Sequence, residues 1–208
     1  MNDYIHWKDF ADASLVQMIR ETTLRNRDAF VESTVTTDEA DYRQSHVLWH
    51  FNYPDLYDRF TAHLKSFMPY FLADFPILPD EPEVELQITV HADGNYFKRH
   101  TDNGCEQTNQ RLVTFVYYYT LDDKQRFTDG ELILETPKGI FTIPPKHNTI
   151  VLFPANWWHE VRPVFIPSMA WEDSRMSVNG WFWHNDEATA LDTSYCIPAT
   201  TACTDINA

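Results

Sequence analysis

The segment HADGNYFKRHTD, residues 91–102, ends in His100-Thr101-Asp102. In an extended chain, side chains two positions apart project from the same face. An imidazole and a carboxylate at this spacing can grip one metal ion. Two ligands do not make a site, so a third must come from a distant segment. His159, in FPANWWHEVRPV, is the candidate. It follows an apolar run ending at Phe153 and is preceded by Trp157 and Trp158. Two histidines and one carboxylate cover three neighbouring positions of an octahedral ion and leave three open. That donor set suits Fe(II), and the open positions suit a co-substrate and dioxygen. His91-Ala92-Asp93 repeats the spacing nine residues earlier and competes as a ligand pair. His46, His50, His63, His147 and His184 read as structural.

A chelating dicarboxylate would need a cation at its far end. Arg175 lies sixteen residues after His159, in RMSVNGWFW. Arg175 and Ser177 share a strand face. A guanidinium grips a carboxylate with two parallel hydrogen bonds, and a hydroxyl adds another donor. Apolar neighbours on both sides mean that an inward-pointing Arg175 needs a buried anion. The competing reading is an ordinary salt bridge at a strand edge.

These residues must be positioned by strands. Candidates run over 83–91, 111–121, 130–136, 139–143, 148–153, 158–165 and 175–183, with turns at Asp93-Gly94-Asn95, Thr128-Asp129-Gly130 and Pro144-Pro145. Many short strands punctuated by turn signals argue for a sandwich or a double-sheet jelly roll. Earlier in the chain, residues 8–25 carry the spacing of an amphipathic helix, with Asp12 or Ser14 as N-cap. Residues 29–36 and 41–51 hold two further strands. Residues 54–75 form the clearest helix, with Leu56, Phe60, Leu64, Phe67 and Phe71 on one face. Pro54 suits its first turn, and Pro69 should kink or split it. Helices first and strands after argue for helices packed on one sheet face. The fold is therefore expected to be mainly β with N-terminal helices. A single domain is expected, with 1–82 as helical and β support, 83–184 as the core and 185–208 as a polar extension, either wrapped on the body or disordered.

Composition narrows the partners. The formal net charge is −15, which argues against nucleic acid and anionic membranes as partners. Either it serves solubility or it steers a cationic partner, such as a basic ribosomal protein. The three cysteines, Cys105, Cys196 and Cys203, form no paired framework, so free thiols and a reducing compartment are expected. MNDYIHWKDFADASL lacks the basic and apolar regions of a secretory signal, and no run reaches the length of a membrane span. A cytoplasmic protein is the expectation.

With these residues placed, the chain resembles the Fe(II)- and 2-oxoglutarate-dependent dioxygenases, and within them the prolyl 4-hydroxylase-like group. That group reads Tyr-x-x-Gly-x-x-Phe/Tyr-x-x-His-x-Asp, and Gly94, Phe97, His100 and Asp102 fall at the matching places. Arg111 and the run to Tyr117-Tyr118 follow, then Gly130-Glu131-Leu132, Pro144, Ile150 to Phe153, and His159-Glu160-Val161-Arg162-Pro163. Arg175, Ser177, Trp181 and Phe182 complete the pattern. The match covers roughly residues 84–183, and the combined order and spacing are far more specific than a lone motif.

The resemblance implies a double-stranded β-helix (jelly-roll) core. It implies that His100, Asp102 and His159 bind Fe(II), and that Arg175 binds the distal carboxylate of 2-oxoglutarate with Tyr118 as hydroxyl partner. Trp181 would wall the pocket. Where the group has its opening tyrosine, this chain has His91, which either substitutes as a donor to the co-substrate or supports it from behind. The segment FIPSMAWEDS, 165–174, is longer than in the hypoxia-sensing relatives. It is either a substrate-contacting loop anchored by Trp171 or a surface hairpin. The implied chemistry uses O2 and 2-oxoglutarate to hydroxylate an unactivated C–H bond, with release of succinate and carbon dioxide. The Asp102 carboxylate favours hydroxylation over halogenation. A prolyl residue of a protein or peptide is the expected substrate. The alternatives are a free amino acid or small natural product, and a non-enzymatic metal-binding jelly roll, which would not need Arg175 and Tyr118.

Overall fold

The computed structural model describes residues 4–33, 41–105 and 108–183. The expectations for His184, Cys196, Cys203, the tail from 185 and the end of the 29–36 strand lie outside them. The chain begins with β1 (Ile5–Lys8), α1 (Ala13–Arg25), β2 (Val31–Glu32), β3 (Arg43–Gln44) and β4 (His46–Trp49). Two helices follow, α2 (Pro54–Ser66) and α3 (Met68–Asp74). The rest is β: β5 (Glu83–His91), β6 (Tyr96–His100), β7 (Arg111–Tyr119), β8 (Thr128–Asp129) and β9 (Leu132–Thr136). Then come β10 (Gly139–Ile143), β11 (Thr149–Pro154), β12 (His159–Val161), β13 (Val164–Phe165) and β14 (Arg175–Trp183).

The strands form a seven-stranded sheet in the order β1-β11-β7-β14-β5-β4-β2 and a five-stranded sheet in the order β10-β9-β12-β6-β3, with β8 and β13 paired apart. All pairings are antiparallel. This is the double-stranded β-helix, with helices covering the larger sheet.

Strand alternation explains which residues look outward to the helices and which look between the sheets. On β5, Val84, Leu86, Ile88 and Val90 join the cluster built with Leu15 and Ile19 of α1 and Leu56, Phe60 and Leu64 of α2. On β7, Phe115, Tyr117 and Tyr119 do the same, while Val116 and Tyr118 belong to the cluster between the sheets. Both faces are thus covered, and all nine residues of β7 are buried. Phe60 seats α2 on β7, its ring 6.2 Å from Phe115 and 5.6 Å from Tyr117.

Local chemistry sets the helix ends. Asp12 caps α1, its Oδ1 accepting from the Leu15 N–H at 2.8 Å. The helix starts at Ala13 rather than residue 8 because Asp9 turns the chain through a left-handed conformation (φ 54°). Residues 5–8, unread as a strand, pair instead with β11. The 54–75 helix does split: α2 ends at Ser66, and α3 restarts with Pro69 in its first turn. The expected strand 158–165 breaks into β12 and β13 around Arg162 and Pro163, and 41–51 into β3 and β4. The free-thiol expectation is corrected for Cys105, which is disulfide-bonded; order along the chain does not report which thiols meet. Among the described residues no helix is long and apolar enough to cross a membrane.

Phe60→Ala should cost about 3–5 kcal/mol, because it leaves a cavity between α2 and the sheet. Urea denaturation should show this as a lower midpoint with an unchanged slope.

Candidate metal centre

His100 ends β6 and His159 opens β12, and the two are register partners. Asp102 lies two residues beyond the end of β6, held where its N–H donates to the Ala155 carbonyl at 2.9 Å. The result is a cluster of His100, Asp102 and His159 whose ligand atoms all lie within 4.8 Å of one another. It is the one such group found among the described residues. All three side chains are buried.

The imidazoles are oriented from behind. His100 Nδ1 donates to the Lys98 carbonyl at 2.7 Å, and His159 Nδ1 donates to the Trp157 carbonyl at 3.0 Å. A carbonyl can only accept, so in the neutral rings Nδ1 carries the proton and Nε2 offers a lone pair. Each Nε2 faces an oxygen of Asp102, at 3.5 Å from His100 and 3.4 Å from His159. Burial, then the neighbouring His100, pull the His159 pKa down to about 4, so that ring is neutral near pH 7. Burial alone would raise the Asp102 carboxyl. His159, His100 and the Thr114 hydroxyl outweigh it and hold the group well below the usual carboxylate range. Thr114 donates to Asp102 Oδ2 at 2.6 Å. With both rings neutral, as ligation requires, their Nε2 lone pairs and the Asp102 carboxylate converge on one point, an arrangement that fits a divalent cation. Phe97 stacks on His100 with centroids 3.5 Å apart and shields it.

Arg175 opens β14 and is fully buried. Its Nε donates to the Gly130 carbonyl at 2.8 Å, Nη1 lies 3.3 Å from His91 Nδ1, and Nη2 lies 3.5 Å from the Tyr118 hydroxyl. Gly130 is required here. It sits at φ +68°, and a Cβ would come within 2.8 Å of Arg175 Cδ. Burial lowers the Arg175 pKa, with Tyr118 opposing. Among the described residues no carboxylate is within ion-pair distance of this guanidinium. Along β14 and β5, Thr89 Oγ1, His91 Nε2, Ser177 Oγ, Asn179 Oδ1 and Trp181 Nε1 are buried and, among the described residues, without a hydrogen-bond partner. A buried cation and a row of unused polar atoms fit an anionic, oxygen-rich guest.

A cavity of about 460 Å³, its open mouth included, is lined by the three candidate ligands, Arg175, Asn179, Trp181, Val116 and others, while Tyr118, Ser177 and His91 lie behind its lining beside Arg175. Register explains the convergence. β14 is flanked by β5 and β7, so Ser177 lies between Thr89 and Tyr118, and Arg175 lies opposite His91. Trp181 lies beside Thr114, with Arg111 3.6 Å over its ring. Arg111 itself is matched by Glu85 at 2.7 Å.

The competing pair His91-Ala92-Asp93 is pulled apart: His91 turns to Arg175, while Asp93 accepts from the Ile166 N–H at 2.7 Å. Trp171 of the 165–174 segment packs on Phe30 and under Arg27, which pairs with Glu172 at 2.6 Å. This anchors the segment to the end of α1. Sequence reasoning did not single out Thr114, Gln87, Asn179 or Arg43, which all line the cavity. The i, i+2 rule that linked Arg175 to Ser177 reaches Asn179 with one more step. Arg43 sits on a two-residue strand and carries no such signal.

Residues 86–183 match the family model described as the 2OG-Fe(II) oxygenase superfamily. This stretch is thus similar to a superfamily that uses Fe(II), 2-oxoglutarate and O2, and structures that share the fold include prolyl 4-hydroxylases. A curated relative, an uncharacterized PKHD-type hydroxylase of Synechocystis sp., is 35% identical over 185 residues, covering 84% of this chain. The chain spans 61% of that relative's length. A Pseudomonas putida prolyl-4-hydroxylase superposes with a TM-score of 0.68 at 19% identity, covering 89% of this chain and 95% of the other. A Trichoplax adhaerens prolyl hydroxylase, in complex with a hypoxia inducible factor oxygen degradation domain peptide fragment, gives 0.68 at 16% identity, covering 88% and 84%.

Thr114→Val removes the hydroxyl that holds Asp102 while keeping the side-chain shape. Metal titration should show Mn(II) affinity lower by about tenfold or more, the usual effect of losing a group that orients a ligand.

Proposed function

We propose that this chain is a Fe(II)- and 2-oxoglutarate-dependent dioxygenase that hydroxylates an unactivated C–H bond of a prolyl residue in a protein or peptide. One observation carries the reading. A metal-ligand triad and a buried, carboxylate-free guanidinium share a cavity, which is what a chelating dicarboxylate requires. The prolyl substrate is supported by the prolyl hydroxylases among the structural neighbours and by the PKHD-type relative.

In this reading His100, Asp102 and His159 hold Fe(II), and Arg175 binds the distal carboxylate of 2-oxoglutarate. The Tyr118 and Ser177 hydroxyls add hydrogen bonds beside it. Burial, then the charges of Arg175 and Arg43, keep His91 neutral. Because its Nδ1 faces the Arg175 donor, its proton sits on Nε2, which is buried and unpaired. His91 is therefore a donor toward the co-substrate, in place of the tyrosine usual in this group. Trp181 walls the cavity and excludes water. When bound, the iron and co-substrate supply the oxidising power: 2-oxoglutarate loses carbon dioxide, and one oxygen atom enters the C–H bond. The protein contributes a dry cavity and fixed orientation.

Proline-containing peptides should gain the mass of one oxygen atom in step with succinate release, and only with Fe(II) and 2-oxoglutarate present. Succinate release with no prolyl peptide modified would oppose the prolyl substrate. Arg175→Ala should raise the 2-oxoglutarate concentration needed for half-maximal turnover by about tenfold or more, the size of a lost charge-assisted contact. Mn(II) affinity should hardly move.

A further inference from the structure

A second guanidinium faces the same cavity. Arg43, on β3, stands opposite Phe97 in register, and its guanidinium lies 4.7 Å over the Phe97 ring. Phe97 in turn stacks on His100. Arg43 is thus one aromatic layer from a candidate metal ligand. Its Nε donates to Ser45 Oγ at 2.8 Å, which fixes the head group but supplies no counter-charge. Among the described residues no carboxylate is within ion-pair distance of it. Burial, opposed by Asp102 and reinforced by Arg111, brings its pKa down to about 10, so it is a cation near pH 7.

Charge balance shows what is missing. Glu85 neutralises Arg111. In the loaded site the charges of Fe(II), Asp102, Arg175 and the 2-oxoglutarate dianion cancel. Among the described residues Arg43 then leaves one positive charge in a half-buried wall, and an unmatched charge withdrawn from water is costly. The front face of a guanidinium matches a carboxylate oxygen for oxygen.

We propose that Arg43 is a specificity residue that binds a carboxylate of the primary substrate and so orients the target carbon toward the metal. This rests on the dioxygenase reading above and narrows its substrate to acidic molecules. The carboxylate comes from one of two sources: the α-carboxylate of a free or C-terminal residue, or an acidic side chain beside the target in a peptide.

The test is calorimetric titration of protein loaded with Mn(II) and 2-oxoglutarate, which does not turn over. Two matched pairs separate the sources: L-proline against L-prolinamide, and an end-blocked prolyl-glutamate peptide against its prolyl-glutamine counterpart. In one pair the acid should bind at least about tenfold more tightly than the amide, the value of a charged hydrogen-bonded contact. Arg43→Gln should abolish that preference and leave 2-oxoglutarate affinity unchanged, and Arg43→Lys should restore part of it. Equal binding of acid and amide in both pairs would overturn the proposal, as would a preference that survives Arg43→Gln. A loss of 2-oxoglutarate affinity in Arg43→Gln would instead assign Arg43 to the co-substrate. If no prolyl probe binds in either form, the prolyl reading fails by itself, and acetate titrated against chloride decides for Arg43. Acetate binding lost in Arg43→Gln supports the subsite, and no acetate binding refutes it.

Discussion

Two opposite charges are buried between the sheets with no Lys, Arg, Asp or Glu counter-ion among the described residues, and much of the structure serves to hold them there. Asp102 faces two imidazole lone pairs, and Arg175 faces a carbonyl, an imidazole and a phenol. Neither arrangement neutralises its charge. Such groups are stable only if something bound completes them, a cation at Asp102 and an anion at Arg175. The Thr114 hydroxyl, the carbonyls behind both histidines and the missing side chain at Gly130 keep the two half-sites open and aimed.

The double-stranded β-helix supplies that rigidity cheaply in sequence. Because β14 is paired on both sides, each inward side chain is fixed by two registers at once. Arg175, Ser177, Asn179 and Trp181 form a ladder that runs from the deep cation toward the metal cluster. The smaller sheet supplies His100 and His159 from adjacent strands, and the turn after β6 supplies Asp102. No residue of the described helices lines the cavity. Their role is to cover the back of the larger sheet, where Phe60 and Phe71 pack, so that its front can be polar.

Much of this was legible in the sequence because strand alternation is strict. His100 and Asp102, and Arg175 and Ser177, announce shared faces by spacing alone. β5, β10 and β14 end where the residue pattern says. Legibility failed where burial on both faces erases alternation, as along β7. There three consecutive tyrosines gave no sign that Tyr118 alone looks inward. It failed again for short strands, where β1 and β3 are defined by their partners rather than by any period. Arg43 was lost for that reason. The disulfide state of Cys105 likewise lies beyond what local pattern carries.

The central claim is that the cavity is built for a dicarboxylate chelator, with one end on the metal and the other on Arg175. Binding of 2-oxoglutarate and of 2-oxobutyrate to Mn(II)-loaded protein tests it directly, because the two share the chelating end and differ in the distal carboxylate. The expected result is that 2-oxoglutarate binds at least about tenfold more tightly, the scale of a charge-assisted pair. Equal affinity for the two acids would contradict it.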